Sequence, residues 1–263
     1  MTELLLICAI GVLALAFATT VARWLLQRPV GDPDLARTAE LVGGGVSRYF
    51  KRQCAVTLAV VGVVGAALFL VYGVAYQTEA VDAVAPREFG LWVAISLTLG
   101  AAFAVVAAWV SAWAGREASV RVAAGVRRSL DDSLQIAIRA GAVSGVVALA
   151  LALLGLAGLF LVLYLYVGSF GGDTAQALAE APRLPSLMVG FVLGAALVAL
   201  LSQLGGGLFG KVADLGADLV GTLEASSPQD LASNPAAVAD LVGDHVGDGA
   251  PRAAGVFAAA VTE

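Results

Sequence analysis

Residues 140–170 read AGAVSGVVALALALLGLAGLFLVLYLYVGSF, with no Asp, Glu, Lys, Arg or His among them. A surface helix of a soluble domain keeps a polar face, whereas this run is apolar all round. As a helix it exceeds the roughly 20 residues that cross a bilayer. Four more runs share the pattern, from about Leu4 to Leu26, Ala55 to Tyr76, Phe89 to Ala114 and Leu187 to Phe209. Trp92, Trp113, Tyr164 and Tyr166 stand near run ends, where amphipathic rings favour the headgroup level. Glycine and alanine within the runs imply close helix-to-helix packing. The chain is therefore expected to be all-α, a polytopic transmembrane bundle of five spans plus the start of a sixth.

Composition agrees. Sixty per cent of the 263 residues are apolar and 13% charged, and mean hydropathy is +0.90. A soluble domain carries about 25% charge, and a charge at mid-bilayer costs roughly 2.5–3.5 kcal/mol on insertion scales. The net charge of −5 leaves no basic footprint for nucleic acid. Cys8 and Cys54 read as small apolar-run thiols, with neither a disulfide nor a metal site inferred. The first run is read as a span rather than a signal peptide, because no basic residue precedes it and Arg23-Trp24 closes it.

Charge asymmetry sets the orientation. Arg23, Arg28, Arg37, Arg48, Lys51 and Arg52 follow the first run, and Arg116, Arg121, Arg127, Arg128 and Arg139 follow the third. The intervening loops hold only Arg87 and Arg183. The positive-inside rule then places the N-terminus outside a plasma membrane and the segment after the fifth span in the cytoplasm. Residues 116–139 carry apolar positions at helical spacing, so spans three and four should continue as helix beyond the bilayer. Their arginines read as a solvated face.

Seven acids lie between 214 and 248: Asp214, Asp218, Glu224, Asp230, Asp240, Asp244 and Asp248. Lys211, Asp214 and Asp218 share one helix face, and Asp240, Asp244 and Asp248 repeat the spacing of four. Asn234-Pro235, within a turn-forming stretch, is suited to cap a second helix. Carboxylates stacked this way repel, and hard cations with oxygen ligands relieve that repulsion. A Mg²⁺–phosphate site explains the clustering; on spacing alone a solvated acidic linker, as most acidic runs are, has the better claim.

The surrounding words favour the first reading. GGGLFGKVADLGADLVGTLEASSPQDLASNPAAVADLVGDHVGDGA, starting at Gly205, resembles the signature of the ion-translocating membrane-bound inorganic pyrophosphatases. So do Phe50-Lys51-Arg52-Gln53, RAGAVSGVVALALALLGL at 139–156, and the order of spans and loops. The resemblance implies a larger helix bundle that hydrolyses pyrophosphate at its cytoplasmic side and moves H⁺ or Na⁺. It implies pyrophosphate as substrate and Mg²⁺ as cofactor. Lys211, Glu224 and Asp240 then contact substrate, Asp214, Asp218, Asp244 and Asp248 hold metal, and Asp248 helps activate water. A single membrane domain over 1–263, with an acidic segment at 210–250, corresponds to the family's N-terminal third.

Several positions depart from the family pattern. Thr222 replaces a lysine, Gln203 an arginine tied to ion gating, and His245 an asparagine. Gly255 stands at a coupling aspartate and Ala258 at the following acid. His245 reads as a surface polar residue, and Pro251 fits only the first turn of a helix. Hydrolysis is expected to need the family's remaining helices, from a chain supplying them, and the resemblance implies a homodimer. The alternative is a truncated, non-catalytic relative acting as a membrane scaffold or partner. A metal transporter of another family is disfavoured, because the spans hold almost no ionisable residues.

Overall fold

A computed structural model describes residues 2–75, 86–171, 184–223 and 234–263, and every element in them is helical. The α-helices are α1 (Thr2–Leu26), α2 (Pro33–Leu70), α3 (Pro86–Val126), α4 (Leu130–Gly171), α5 (Leu184–Leu223), α6 (Pro235–Asp244) and α7 (Ala250–Thr262). A widened π turn, Val71–Ala75, prolongs α2, and a second, His245–Gly249, joins α6 to α7. Helices α1 to α5 are each long and apolar enough to cross a membrane.

The helices outrun the apolar runs. α2 starts at Pro33, far ahead of Ala55, because proline is pre-set for a helix's first turn and Asp32 precedes it in an extended conformation. α3 and α4 continue to a tight turn at Arg127–Ser129, as their apolar periodicity predicts. The face carrying Leu130, Leu134 and Ile138 nevertheless points outward, while Ile136 and Ala140 are buried against Leu25 and Ala118.

α3 is the centre of the bundle, touching α2, α4, α5 and α7. It meets α5 through glycines. A Cβ on Gly190 would lie 2.1 Å from the Val93 carbonyl oxygen, and one on Gly194 would lie 2.0 Å from that of Leu97. Small residues four apart are what let two membrane helices touch backbone to backbone. α7 fills the remaining space, its fully buried Phe257 ring 6.1 Å from Phe191. By contrast, only 11% of the most apolar window of α1 and of α2 is buried, against 44% for α3, α4 and α5. Leu6, Leu13 and Phe17 of α1 and Leu58 and Val63 of α2 thus face outward, a surface suited to lipid.

One end of the bundle gathers the arginines, but they are not uniformly solvated. Arg121 is 6% exposed. Its guanidinium donates to the Leu26 and Arg28 carbonyls, 3.4 and 3.2 Å away, and to Glu117 Oε2 at 2.8 Å. The last carbonyls of a helix lack internal donors, and Arg121 supplies one for Leu26 at the end of α1. Arg127 pairs with Asp32, while Arg28 and Arg139 stack on Trp24 at 4.1 and 3.9 Å.

Candidate functional site

The acidic helices project from this arginine-rich end. α5 leaves the apolar zone through Gly205-Gly206-Gly207 and runs unbroken to Leu223. Lys211 Nζ lies 3.5 Å from Asp214 Oδ2, so the face expected from their spacing exists. Both side chains are exposed, and Asp218 lies one turn further on. Glu224, like Asp230, lies outside the described residues.

The second arm begins where the sequence suggests. Asn234 Oδ1 accepts from the Ala236 amide at 3.0 Å, and Pro235 occupies the first turn of α6. Glycines then seat α6 on α5. A Cβ on Gly206 would fall 2.3 Å from the Val246 carbonyl oxygen, and one on Gly243 would fall 3.0 Å from Gly210 Cα. On the other side Val242 packs where a Cβ of Gly45 would stand, tying α6 to α2. Residues 235–262 form one continuous helical arm, and its π turn precedes Pro251 in the first turn of α7. Proline lacks an amide hydrogen and its ring collides with the carbonyl four residues back. A wider turn there relieves that conflict.

This seating brings two acidic faces together. The Asp240 carboxyl is raised above its ordinary 3.8, first by desolvation and then by the negative charges of Asp244, Asp214 and Asp218. Asp214 and Asp218 belong to α5, and Asp240 and Asp244 to α6, so the repulsion crosses the helix pair. Asp248, in the π turn, behaves differently: it is exposed and pairs with Arg252 Nη2 at 2.9 Å. Arg252 has no place among the residues expected from sequence, although its spacing of four from Asp248 is the signal that points to it. Ser111 of α3 steadies the same turn, donating to the Gly249 carbonyl at 2.9 Å.

His245 is not a free surface residue. It is half-buried, with Nδ1 2.8 Å from the Leu241 carbonyl oxygen and Nε2 3.3 Å from Ser119 Oγ, so it bridges the arm to α3. Gln203 of α5 and Gly255 of α7 also meet. A Cβ on Gly255 would lie 3.3 Å from Gln203 Nε2.

Among the described residues no three His, Cys, Asp or Glu side chains stand close enough to hold a metal ion by themselves. That arrangement still suits Mg²⁺, which usually keeps several waters and takes one or two carboxylates together with phosphate oxygens. Mutually repelling acids with Lys211 beside them are chemically matched to a cation–polyanion complex rather than to a bare metal cage.

An apolar bundle with a paired acidic arm at its charged end defines an integral membrane protein with a polar site outside its spans. The inorganic H⁺ pyrophosphatase family matches residues 12–263, and the chain belongs to that family. It is 36% identical over 99% of its length to a K⁺-insensitive pyrophosphate-energized proton pump of Caldanaerobacter subterraneus, covering 35% of that protein. It is 33% identical to pyrophosphate-energized membrane proton pump 3 of Arabidopsis thaliana, over 98% of this chain and 31% of the relative. A putative K⁺-stimulated pyrophosphate-energized sodium pump of Bacteroides thetaiotaomicron is 34% identical, over 89% of this chain and 30% of its own length. The chain spans about a third of the length of the curated relatives it matches.

Proposed function

We propose that this chain forms the N-terminal, pyrophosphate-facing portion of a membrane pyrophosphatase that couples Mg²⁺-dependent pyrophosphate hydrolysis to H⁺ translocation, with Na⁺ the alternative ion. The observation that carries this reading is the backbone-close seating of the second arm on α5 at Gly206 and Gly210, which brings Asp240 and Asp244 toward Asp214 and Asp218. Mg²⁺ held by Asp214, Asp218, Asp244 and Asp248 would neutralise phosphate charge. Lys211, Glu224 and Asp240 complete the substrate contacts. Asp248 accepts a proton from the attacking water, and Arg252, 2.9 Å away, holds the carboxylate in place. The arginine-rich end is cytoplasmic and the membrane is the plasma membrane. The remaining ligands come from further helices, of a longer protein or of a companion chain, and the assembly is a homodimer.

Two measurements test this reading. Thermal unfolding in detergent should shift upward with Mg²⁺ plus imidodiphosphate, a non-hydrolysable pyrophosphate analogue, and the shift should shrink in Asp214→Asn and Asp218→Asn. Membranes carrying this chain together with the further helices should release phosphate from Mg²⁺-pyrophosphate, and Asp248→Asn should lower the rate at least tenfold, within the usual range for a general base. Melting curves indifferent to both ligands, or release unaffected by Asp248→Asn, would sink the assignment.

A further inference from the structure

We propose that the cleft between α2 and α3 binds one anionic phospholipid, its phosphate held by Lys51 and Arg116 and its acyl chains laid toward Leu58 and Trp109. The cleft has a volume of about 520 Å³, within the roughly 300–1,000 Å³ of small-molecule sites. The two helices run antiparallel, so its lining is graded. Lys51 and Arg116 mark the arginine-rich end, while Phe50, Cys54, Leu58, Trp109 and Trp113 line the apolar side. Among the described residues, no carboxylate lines it.

The charge at the mouth is only partly compensated. Arg116 Nη2 pairs with Glu117 Oε1 at 2.7 Å, whereas Lys51 has no ion pair among the described residues. Basic pockets between membrane helices at the polar boundary attract anionic headgroups. The opposite end has the complementary character: Leu58 is 68% exposed and Trp109 58%. Tryptophan combines an apolar body with an N–H donor, which suits the glycerol-ester level of a lipid. A further packed helix would cover Leu58 and Trp109 but would have to bring its own carboxylate to the Lys51 ammonium. Free phosphate would satisfy Lys51 but leave the apolar wall bare. A phospholipid satisfies both, and it needs no residue of the proposed hydrolytic site.

The test uses the purified protein in detergent, with phosphatidylglycerol or phosphatidylcholine added and bound lipid counted by native mass spectrometry. One phosphatidylglycerol should be retained in preference to phosphatidylcholine. Each cation near an anionic headgroup is worth about fivefold in affinity, so Lys51→Gln should lower that preference about fivefold. Cys54→Trp, which fills the apolar wall without altering charge, should reduce retention of both lipids. In a Cys8→Ser background, phosphatidylglycerol should slow maleimide labelling of Cys54 more than phosphatidylcholine does at the same concentration. Unchanged melting temperatures keep the variants comparable. Equal retention of the two lipids, an indifferent Lys51→Gln, or a Cys54 shielded only in a protein dimer would overturn the proposal.

Discussion

Gly206 passes so close to Val246 that a Cβ would meet its carbonyl oxygen at 2.3 Å. This contact, with that of Gly243 on Gly210, seats the acidic arm against α5. Gly206→Ala therefore forces backbone apart, and overpacking of this kind costs about 1–3 kcal/mol. Gly207 next door has nothing within 4 Å of its virtual Cβ, so Gly207→Ala should gain up to about 1 kcal/mol of helix propensity. Melting curves of the two variants should move in opposite directions. A Gly206→Ala protein as stable as its Gly207→Ala sibling would show that the arm does not seat at this position.

Asp240 should make stability pH-dependent. Its carboxyl is raised, so the folded chain holds that proton more tightly than the unfolded chain does. The sign follows: stability falls as pH rises from the ordinary 3.8 through the higher folded value, and the penalty persists above it. Asp240→Asn should thus stabilise the protein near neutral pH and change little at about pH 3, where both states are protonated. Adding Mg²⁺ should narrow the neutral-pH difference, since it relieves the same repulsion. Equal melting temperatures at neutral pH without metal would mean the acids do not sense one another.

Orientation is open to direct measurement. In a protein freed of Cys8 and Cys54, cysteines at Arg127 and Glu88 occupy opposite ends of α3, and both positions are exposed. An impermeant maleimide applied to intact cells should label position 88 and spare position 127. Labelling of 127 from outside would reverse the assignment made from the arginine distribution.

Hydropathy alone locates all five long helices, because hydrocarbon tolerates few charges and the runs are long. The helix starts are less legible: polar residues ahead of Ala55 hide the continuation of α2 back to Pro33. Within the site, faces are readable wherever the relation is local, as for Lys211 with Asp214 or the Asn234 cap. The approach of α6 to α5 is not, since it depends on Gly206, Gly210 and Gly243 meeting residues distant in sequence. The fate of His245 is hidden for the same reason, because its partner Ser119 lies on α3. The turn before Pro251 fits the proline's demands, yet nothing in the spacing of Asp244 and Asp248 signals a widened turn between them.

Gln203 and Gly255 supply a last test, because they face each other where α5 meets α7. A carboxylate built at Gly255 would stand beside the group at position 203, because only 3.3 Å separates a virtual Cβ from Gln203 Nε2. Gln203→Arg alone puts a guanidinium on an apolar stretch of α5, at a cost of roughly 2.5–3.5 kcal/mol if it reaches the bilayer interior. Gly255→Asp alone sets an unpaired carboxylate in a half-buried position, which is also unfavourable. Made together, the two charges should pair and recover part of both losses. Contacting residues commonly show interaction energies of about 0.5–3 kcal/mol in such cycles. The double variant should therefore melt above the temperature expected from summing the single losses. Strict additivity would mean that positions 203 and 255 do not touch, and that α5 and α7 pack in a different register.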